Sequence, residues 1–338
     1  MSLELNVAVL GATGLVGKQI MECLAERKFP IKELFPLASE RSAGSDIQFK
    51  DETLVVGDVE TFDWSTVDIA FFSAGGAVSA VYAPIAADAG CVVIDNTSHF
   101  RYQPDVPLVV PEVNGEALAD FRNCNIIANP NCSTIQMVVA LKPIYDAFGI
   151  ERINVSTYQS VSGAGAAGVD ELAQQTAALL NGKPIEPNTF ARQIAFNCIP
   201  QIDEFLENDY TKEEMKMVWE TQKIFADDSI GVNATAVRVP VFFGHAEAIN
   251  IELRQPADAE EIKNVLRESE GVRLLESQMD FPTQVSGASG QDKVLVGRVR
   301  ADISHAHGMN LWVVADNVRK GAATNSVQIA EYLIHTYW

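Results

Sequence analysis

The segment IIANPNCSTIQMVVALKPIYDAF, from Ile126 to Phe148, sets a single cysteine, Cys132, between Asn-Pro-Asn and Ser-Thr. A thiol is a strong nucleophile only as its thiolate, and the free amides and aligned peptide dipoles at a helix start favour that charge. The flanking pattern supplies such a setting. Ile126, Ile127 and Ala128 form an apolar run, Pro130 breaks it, and Ile135, Val138, Val139, Leu141, Ile144 and Tyr145 then recur mainly on one helical face. Asn131 or Ser133 is the expected N-cap, which puts Cys132 in a strand-to-helix turn. A cysteine so placed is either a small apolar filler or a nucleophile. The rest of the chain decides.

Other residues of chemical interest are spread along the sequence. His245, in FFGHAEAI at the end of an apolar strand, is a candidate proton shuttle, or else a structural histidine. Arg238 stands seven residues earlier; on one strand that odd offset puts the two on opposite faces, unless a bend at Pro240 joins them. Arg101 follows a strand end, where open α/β sheets bind ligands. In TKEEMKM, Thr211 and Glu214 form a capping box, which makes Glu213 and Lys216 neighbours on one helical face.

Near the N-terminus, Gly11, Gly14 and Gly17 in GATGLVG follow a strand and open a helix. Glycines there let the backbone approach a pyrophosphate while the helix start supplies amides. The end of the second strand, where a cofactor ribose is read, carries Ser39, Glu40, Arg41 and Ser42. Arg41 with its flanking hydroxyls suits the 2′-phosphate of NADP; Glu40 suits a ribose hydroxyl instead. A thiol beside a nicotinamide has one characteristic reaction. An aldehyde adds to the thiolate, hydride leaves and a thioester remains, or the sequence runs in reverse from an activated acyl group.

Bulk properties narrow the choice. The 338 residues allow two domains, and 25 Lys+Arg against 45 Asp+Glu give a net charge of -20, which repels nucleic acids and anionic membranes. The five cysteines are scattered without a CxxC pair or a zinc spacing, so neither metal nor disulfides are expected. MSLELNVAVLGATG has no basic n-region, and no apolar run reaches the ~18 residues of a membrane span. A reducing, cytoplasmic setting is the expectation.

The positioning elements read as α/β in the first third: NVAVLGA, ELFPLAS, VDIAFFSAG, CVVIDNTS and LVVPEVN as strands with helices between them. This predicts a Rossmann-like, doubly wound domain over residues 1–130. INVSTYQSVSG, VNATAVRVPVFFGHAEAINIEL and DKVLVGRVRADI then read as long amphipathic strands among helices, an α+β domain over 131–316 with a mixed, largely antiparallel sheet. A final helix within 317–338 is expected to pack back on the first domain.

Taken in order, GATGLVG, LASERSAG, FFSAGG, FRYQPDVPLVVPEVN, NPNCSTIQ, TYQSVSGAG, TKEEMKM, NATAVRVPVFFGHAE and WVVADNVRKGAATNSVQIAE resemble the aspartate-β-semialdehyde dehydrogenase family from about Val7 to Glu331. The resemblance implies Cys132 as the nucleophile, His245 as acid/base and Gln159 as substrate orienter. It implies Arg238 for the substrate carboxylate, Glu213 for its amino group, and Arg101, Asn131 and Lys216 for phosphate. Gly11, Thr13, Gly14, Leu15, Val16, Ser39, Arg41, Ser42, Ser162, Gly163 and Asn317 would contact NADP, in a homodimer built through the second domain. One departure is Ala246, where the family commonly has serine beside the histidine, a change expected to alter the tuning of His245. The implied reaction is reversible reduction of L-4-aspartyl phosphate to aspartate semialdehyde, on the route to lysine, threonine and methionine. The rivals are an N-acetyl-glutamyl-phosphate reductase, a cysteine hydrolase and a non-catalytic NADP-binding protein.

Overall fold

The computed structural model describes residues 4–338, which divide into two compact units, 4–131 with Ala322–Trp338, and Cys132–Gly321. The first is built from β1 (Leu5–Leu10), α1 (Leu15–Glu26), β2 (Ile31–Ala38), a hairpin of β3 (Asp46–Phe49) and β4 (Glu52–Val55), β5 (Gly57–Asp58), β6 (Ile69–Phe72), α2 (Gly76–Asp88), β7 (Val92–Asp95), α3 (Pro111–Asn114) and β8 (Ile126–Ala128). Its main sheet runs β5-β2-β1-β6-β7-β8, every pairing parallel. Strands covered on both faces must be apolar throughout, and all four residues of β6, Ile69 to Phe72, are fully buried. The C-terminal helix Thr324–Tyr337 packs in the same unit, with Val327, Ile329 and Leu333 in one core cluster with Val9, Ile20 and Phe71.

The expected fifth strand, LVVPEVN, is not one. Leu108 makes only an isolated bridge to Ala128, and Pro111 opens α3, because proline lacks the N–H a strand needs and suits the first helical position.

The second unit holds α4 (Cys132–Phe148), β9 (Ile150–Gln159), α5 (Gly165–Leu180), α6 (Lys212–Phe225), β10 (Gly231–Arg238), β11 (His245–Leu253), α7 (Ala259–Arg267), β12 (Val272–Leu275), β13 (Val294–Ala301) and β14 (Gly308–Ala315). Its sheet runs β10-β9-β11-β14-β13-β12, with parallel pairs at each end and antiparallel pairs between. Strand β9 alternates as a one-sided strand must: Ile153, Val155, Thr157 and Gln159 are buried while Asn154 and Tyr158 face outward. Helix α4 packs against β9, β11, β13 and β14, and its Met137, Val138 and Leu141 are fully buried. The Thr211–Glu214 capping box forms at the start of α6, and Glu214 also accepts the Ala236 N–H of β10 at 2.9 Å. One side chain therefore starts the helix and ties it to the sheet.

The segment read as one strand from Val232 to Leu253 is two, β10 and β11, and they are not adjacent: β9 lies between them. That separation makes the site.

Candidate active site

In the second unit, register brings three side chains into one row. Arg238 on β10 pairs with Gln159 on β9, and Gln159 pairs with His245 on β11. Directly paired residues share a face of the sheet; the strand ends at Arg238 and the chain bends at Pro240, so of the two alternatives the one that joins Arg238 and His245 on one face holds, and the opposite-face one does not. All three are buried, at 6%, 1% and 0% exposure respectively.

Cys132 is the first residue of α4 and partly exposed. Ser133 therefore lies inside the first turn and is not the cap; its Oγ accepts from Gln159 Nε2 at 2.7 Å, which fixes the helix start over the row. Gln159 Nε2 also donates to Glu213 Oε1 at 3.1 Å. Glu213 Oε2 accepts from Lys216 Nζ at 3.0 Å, and Lys216 bonds Asp203 Oδ2 at 2.8 Å. Burial opposes the Lys216 charge, but the carboxylates of Glu213 and Asp203 outweigh it and hold the ammonium above its ordinary range. Burial pushes the Arg238 guanidinium down, against the attraction of Glu213 and Cys132. Arg238 Nη1 donates to the Ser160 carbonyl at 2.7 Å.

His245 is set by a backbone donor. The Ser160 N–H donates to Nδ1 at 3.1 Å, so the neutral ring carries its proton on Nε2. Burial, reinforced by the Arg238 charge, pushes the His245 pKa down to about 3. Buried Nε2 makes no hydrogen bond among the described residues, which leaves a donor for a ligand. A Cβ on Gly163 would come within 2.6 Å of Arg238 Nη1 and 3.4 Å of His245 Nε2, so glycine keeps the space beside both open. Asn317 Oδ1 accepts from Ser160 Oγ and Ser162 Oγ, each at 3.1 Å, and from the Gly244 N–H at 2.9 Å. Ser162 and Asn317, read as cofactor contacts, thus also brace the residues around His245.

Ala246 does not sit beside the imidazole. It occupies the other face of β11, fully buried with Ala288, Leu295 and Val314. A hydroxyl there would meet apolar neighbours, so alanine is a packing choice and the expected effect on His245 has no structural basis.

Ser160 and Gly321 escape a sequence reading. A Cβ on Gly321 would stand 2.7 Å from the Cys132 Cβ, so only glycine lets that backbone pass the cysteine. A glycine after Arg-Lys in VRKGAATN carries no such signal by itself.

The first unit holds the other set of predicted residues. Gly11 has φ +90, and a Cβ there would lie 2.8 Å from Ser73 Oγ; a Cβ on Gly17 would lie 2.1 Å from the Gly11 carbonyl oxygen. The turn is closed tightly enough that Thr13, Gly14, Leu15 and Val16 present the start of α1, whose first turn bears no acidic side chain to compete with a phosphate. The residues fit a dinucleotide. Ser39, Arg41 and Ser42 follow β2, with Arg41 exposed and the Ser42 N–H on the Ser39 carbonyl at 2.9 Å. Arg101 is buried in the loop after β7 and donates from Nη2 to the Asn96 carbonyl at 2.9 Å. That loop is itself anchored by Asp95, which accepts from Ser79 Oγ at 2.8 Å and Thr97 Oγ1 at 2.7 Å. Asn131 is buried at the end of this unit.

A thiol at the start of a helix whose next residue is bonded to Gln159, within electrostatic reach of Arg238, on a chain with a dinucleotide turn, suits a thiol-dependent dehydrogenase of acyl groups. A family described as semialdehyde dehydrogenase, NAD binding domain, matches residues 6–121, and one described as semialdehyde dehydrogenase, dimerisation domain, matches 141–320. The chain is 69% identical over all 338 residues to aspartate-semialdehyde dehydrogenase 2 of Vibrio cholerae, with both chains fully covered. A solved structure of aspartate semialdehyde dehydrogenase II complexed with ASA from Vibrio cholerae superposes with a TM-score of 0.99 at 69% identity and full coverage of both chains. The Candida albicans enzyme, solved with NADP, gives 0.78 at 27% identity, covering 98% of this chain and 99% of that one. The chain belongs to the aspartate-semialdehyde dehydrogenase family. The rival readings as an acylglutamyl-phosphate reductase or a non-catalytic binding protein are not favoured.

Proposed function

We propose that this chain catalyses the reversible, NADP-dependent reduction of L-4-aspartyl phosphate to L-aspartate 4-semialdehyde and phosphate, through a thioester on Cys132. The observation that carries the reading is the row Arg238–Gln159–His245 beneath the start of α4. We place the reaction in the cytoplasm, in a homodimer built through the second unit, on the route to lysine, threonine and methionine. Among the described residues no helix is long and apolar enough to cross a membrane.

Each group then has a task. Arg238 takes the substrate α-carboxylate and Glu213, held by Gln159 and Lys216, takes the α-amino group. Arg101, Asn131 and Lys216 take the phosphate, Lys216 from a charge it shares with Asp203 and Glu213. The Cys132 thiolate attacks the acyl carbon, and phosphate leaves with the bonding electrons. Amides in the first turn of α4 and the His245 Nε2–H stabilise the oxygen of the tetrahedral carbon. When bound, NADPH supplies hydride to the thioester carbon; Gly11 to Val16, Ser39, Arg41, Ser42, Ser162, Gly163 and Asn317 would hold it. Collapse of the thiohemiacetal then returns the Cys132 thiolate and frees the aldehyde.

Absorbance of NADPH reports the reaction directly. Aspartate semialdehyde with phosphate and NADP should be turned over, and N-acetyl-glutamate semialdehyde should not, because its acylated nitrogen offers Glu213 no ammonium. Turnover of the acylated substrate alone would overturn the assignment.

Two substitutions in the first unit separate the anion sites. Arg41→Ala should raise the KM for NADP about 10- to 100-fold while leaving that for NAD nearly unchanged, since only NADP has a 2′-phosphate to lose. Equal effects on both would remove Arg41 from the cofactor site. Arg101→Ala should raise the KM for phosphate roughly tenfold or more and that for the semialdehyde by much less. Matching losses would count against Arg101 as a phosphate ligand.

A further inference from the structure

Residues 183–198 form neither helix nor strand, yet four of their backbone amides are donated to two side chains of α5. Glu171 accepts from Asn188 N–H at 3.2 Å and from Thr189 N–H; Gln175 Oε1 accepts from Ile194 N–H at 2.9 Å and Ala195 N–H at 3.1 Å. Gln175 Nε2 closes the pair on Glu171 Oε1 at 2.7 Å, and the two side chains are 7% and 3% exposed. Ile194 and Ala195 are fully buried, so leaving their amides unpaired would be costly, and the bonds at Asn188 and Thr189 fix the other end of the loop.

Between the two anchor points the loop carries Phe190, whose ring centroid lies 5.9 Å from Arg238 Cζ. Ile194, Ala195 and Ile199 pack beneath it with Val161 and Leu172. On α5, a Cβ at Gly168 would stand 3.1 Å from Phe190 Cζ and 2.5 Å from the Val161 carbonyl oxygen, so the helix yields space to the ring and to the loop before it. Phe190 and Arg238 line one cleft of about 320 Å³, with Thr189, Ala191, Ile199 and Asp203 around it.

We propose that Phe190 is a specificity-determining residue for the amino-acid substrate, and that Glu171 is the positioning residue that holds it against Arg238. The inference rests on the assignment of Arg238 to the substrate carboxylate. A ring face beside a guanidinium fixes the plane of the cation and shields one side from water, which strengthens a planar, two-point bond to a carboxylate. The same ring gives the cleft an apolar wall for a short carbon chain. Phosphate and NADP have no part in that contact.

Steady-state kinetics on the full-length enzyme test this with Phe190→Leu, Phe190→Tyr and Glu171→Gln. Phe190→Leu should raise the KM for aspartate semialdehyde about five- to tenfold, and Phe190→Tyr, which keeps the ring, should stay near the parent value. The KM values for phosphate and NADP, and the rate at which neutral iodoacetamide alkylates Cys132, should stay within about twofold, a selectivity that a general loss of structure would not show. Glu171→Gln, which turns an amide toward backbone donors, should give the same one-substrate pattern; if it does not fold, the Phe190 pair decides alone. An unchanged semialdehyde KM in Phe190→Leu, or a joint rise in all three KM values, overturns the proposal while leaving the reaction assignment intact. A parent enzyme inactive on aspartate semialdehyde removes the reaction assignment itself, and this proposal with it.

Discussion

Cys132→Ala should lower turnover by roughly 10⁴-fold or more, because no other group can carry the acyl carbon. The alternatives among the cysteines are poor. Cys23 and Cys91 are buried, and burial pushes the Cys91 thiol up, away from the reactive thiolate. Cys124 lies partly buried, and Cys198 is exposed but in an irregular stretch, without a helix start behind it. In the parent enzyme Cys132 should therefore be the thiol alkylated fastest near neutral pH, with prior acyl phosphate protecting it. Faster labelling of Cys198 would mean that the start of α4 does not favour the thiolate. Retained turnover in the alanine variant would leave the chain as a nicotinamide-binding protein whose chemistry lies elsewhere.

His245→Ala should cost about 10²- to 10⁴-fold in turnover, the range for loss of a positioned proton donor. The tautomer sharpens the test. With Nδ1 accepting the Ser160 N–H, the ring faces the substrate with a donor at Nε2, so His245→Gln, which places an amide N–H at a similar reach, should recover part of the loss. Because the pKa falls to about 3, His245 remains neutral from mildly acidic to mildly alkaline pH and contributes no limb to the pH–rate profile there. A limb near pH 6 to 7 that vanishes in the glutamine variant would contradict this, since it would show an imidazolium at work. Folding carries the same signature. The folded-state pKa lies below the ordinary 6.5, so the unfolded chain binds the extra proton first as pH drops. Stability from this group is present above about 6.5 and is lost as pH falls toward 3. His245→Gln should flatten that part of the acid-unfolding curve.

Residue patterns carry local information and leave out what distant strands supply. The glycine turn, the capping box of Thr211 and Glu214, and the cysteine at a helix start were legible because each is defined within a few neighbouring residues. The row of Arg238, Gln159 and His245 was not. Its members sit on three strands, and what aligns them is the pairing of β9 with β10 on one side and β11 on the other. No spacing within VNATAVRVPVFFGHAEAINIEL reports that a strand seventy residues upstream lies between its halves. The same limit applies to Ala246, whose face was fixed by strand alternation but whose apolar neighbours come from β13, β14 and the turn before them. LVVPEVN departs from a strand for a different reason: its apolar content suits one, but Pro111 decides the backbone. Gly321 and the Glu171–Gln175 clamp depend wholly on what the fold brings near them.

The decisive measurement is the mass of the peptide containing Cys132 after rapid quenching of enzyme supplied with aspartate semialdehyde and NADP but no phosphate. Without phosphate the thioester has no acceptor but water, so that peptide should gain one aspartyl group, and adding phosphate should remove it. NADPH formation with no aspartyl mass ever appearing on Cys132 would contradict the account.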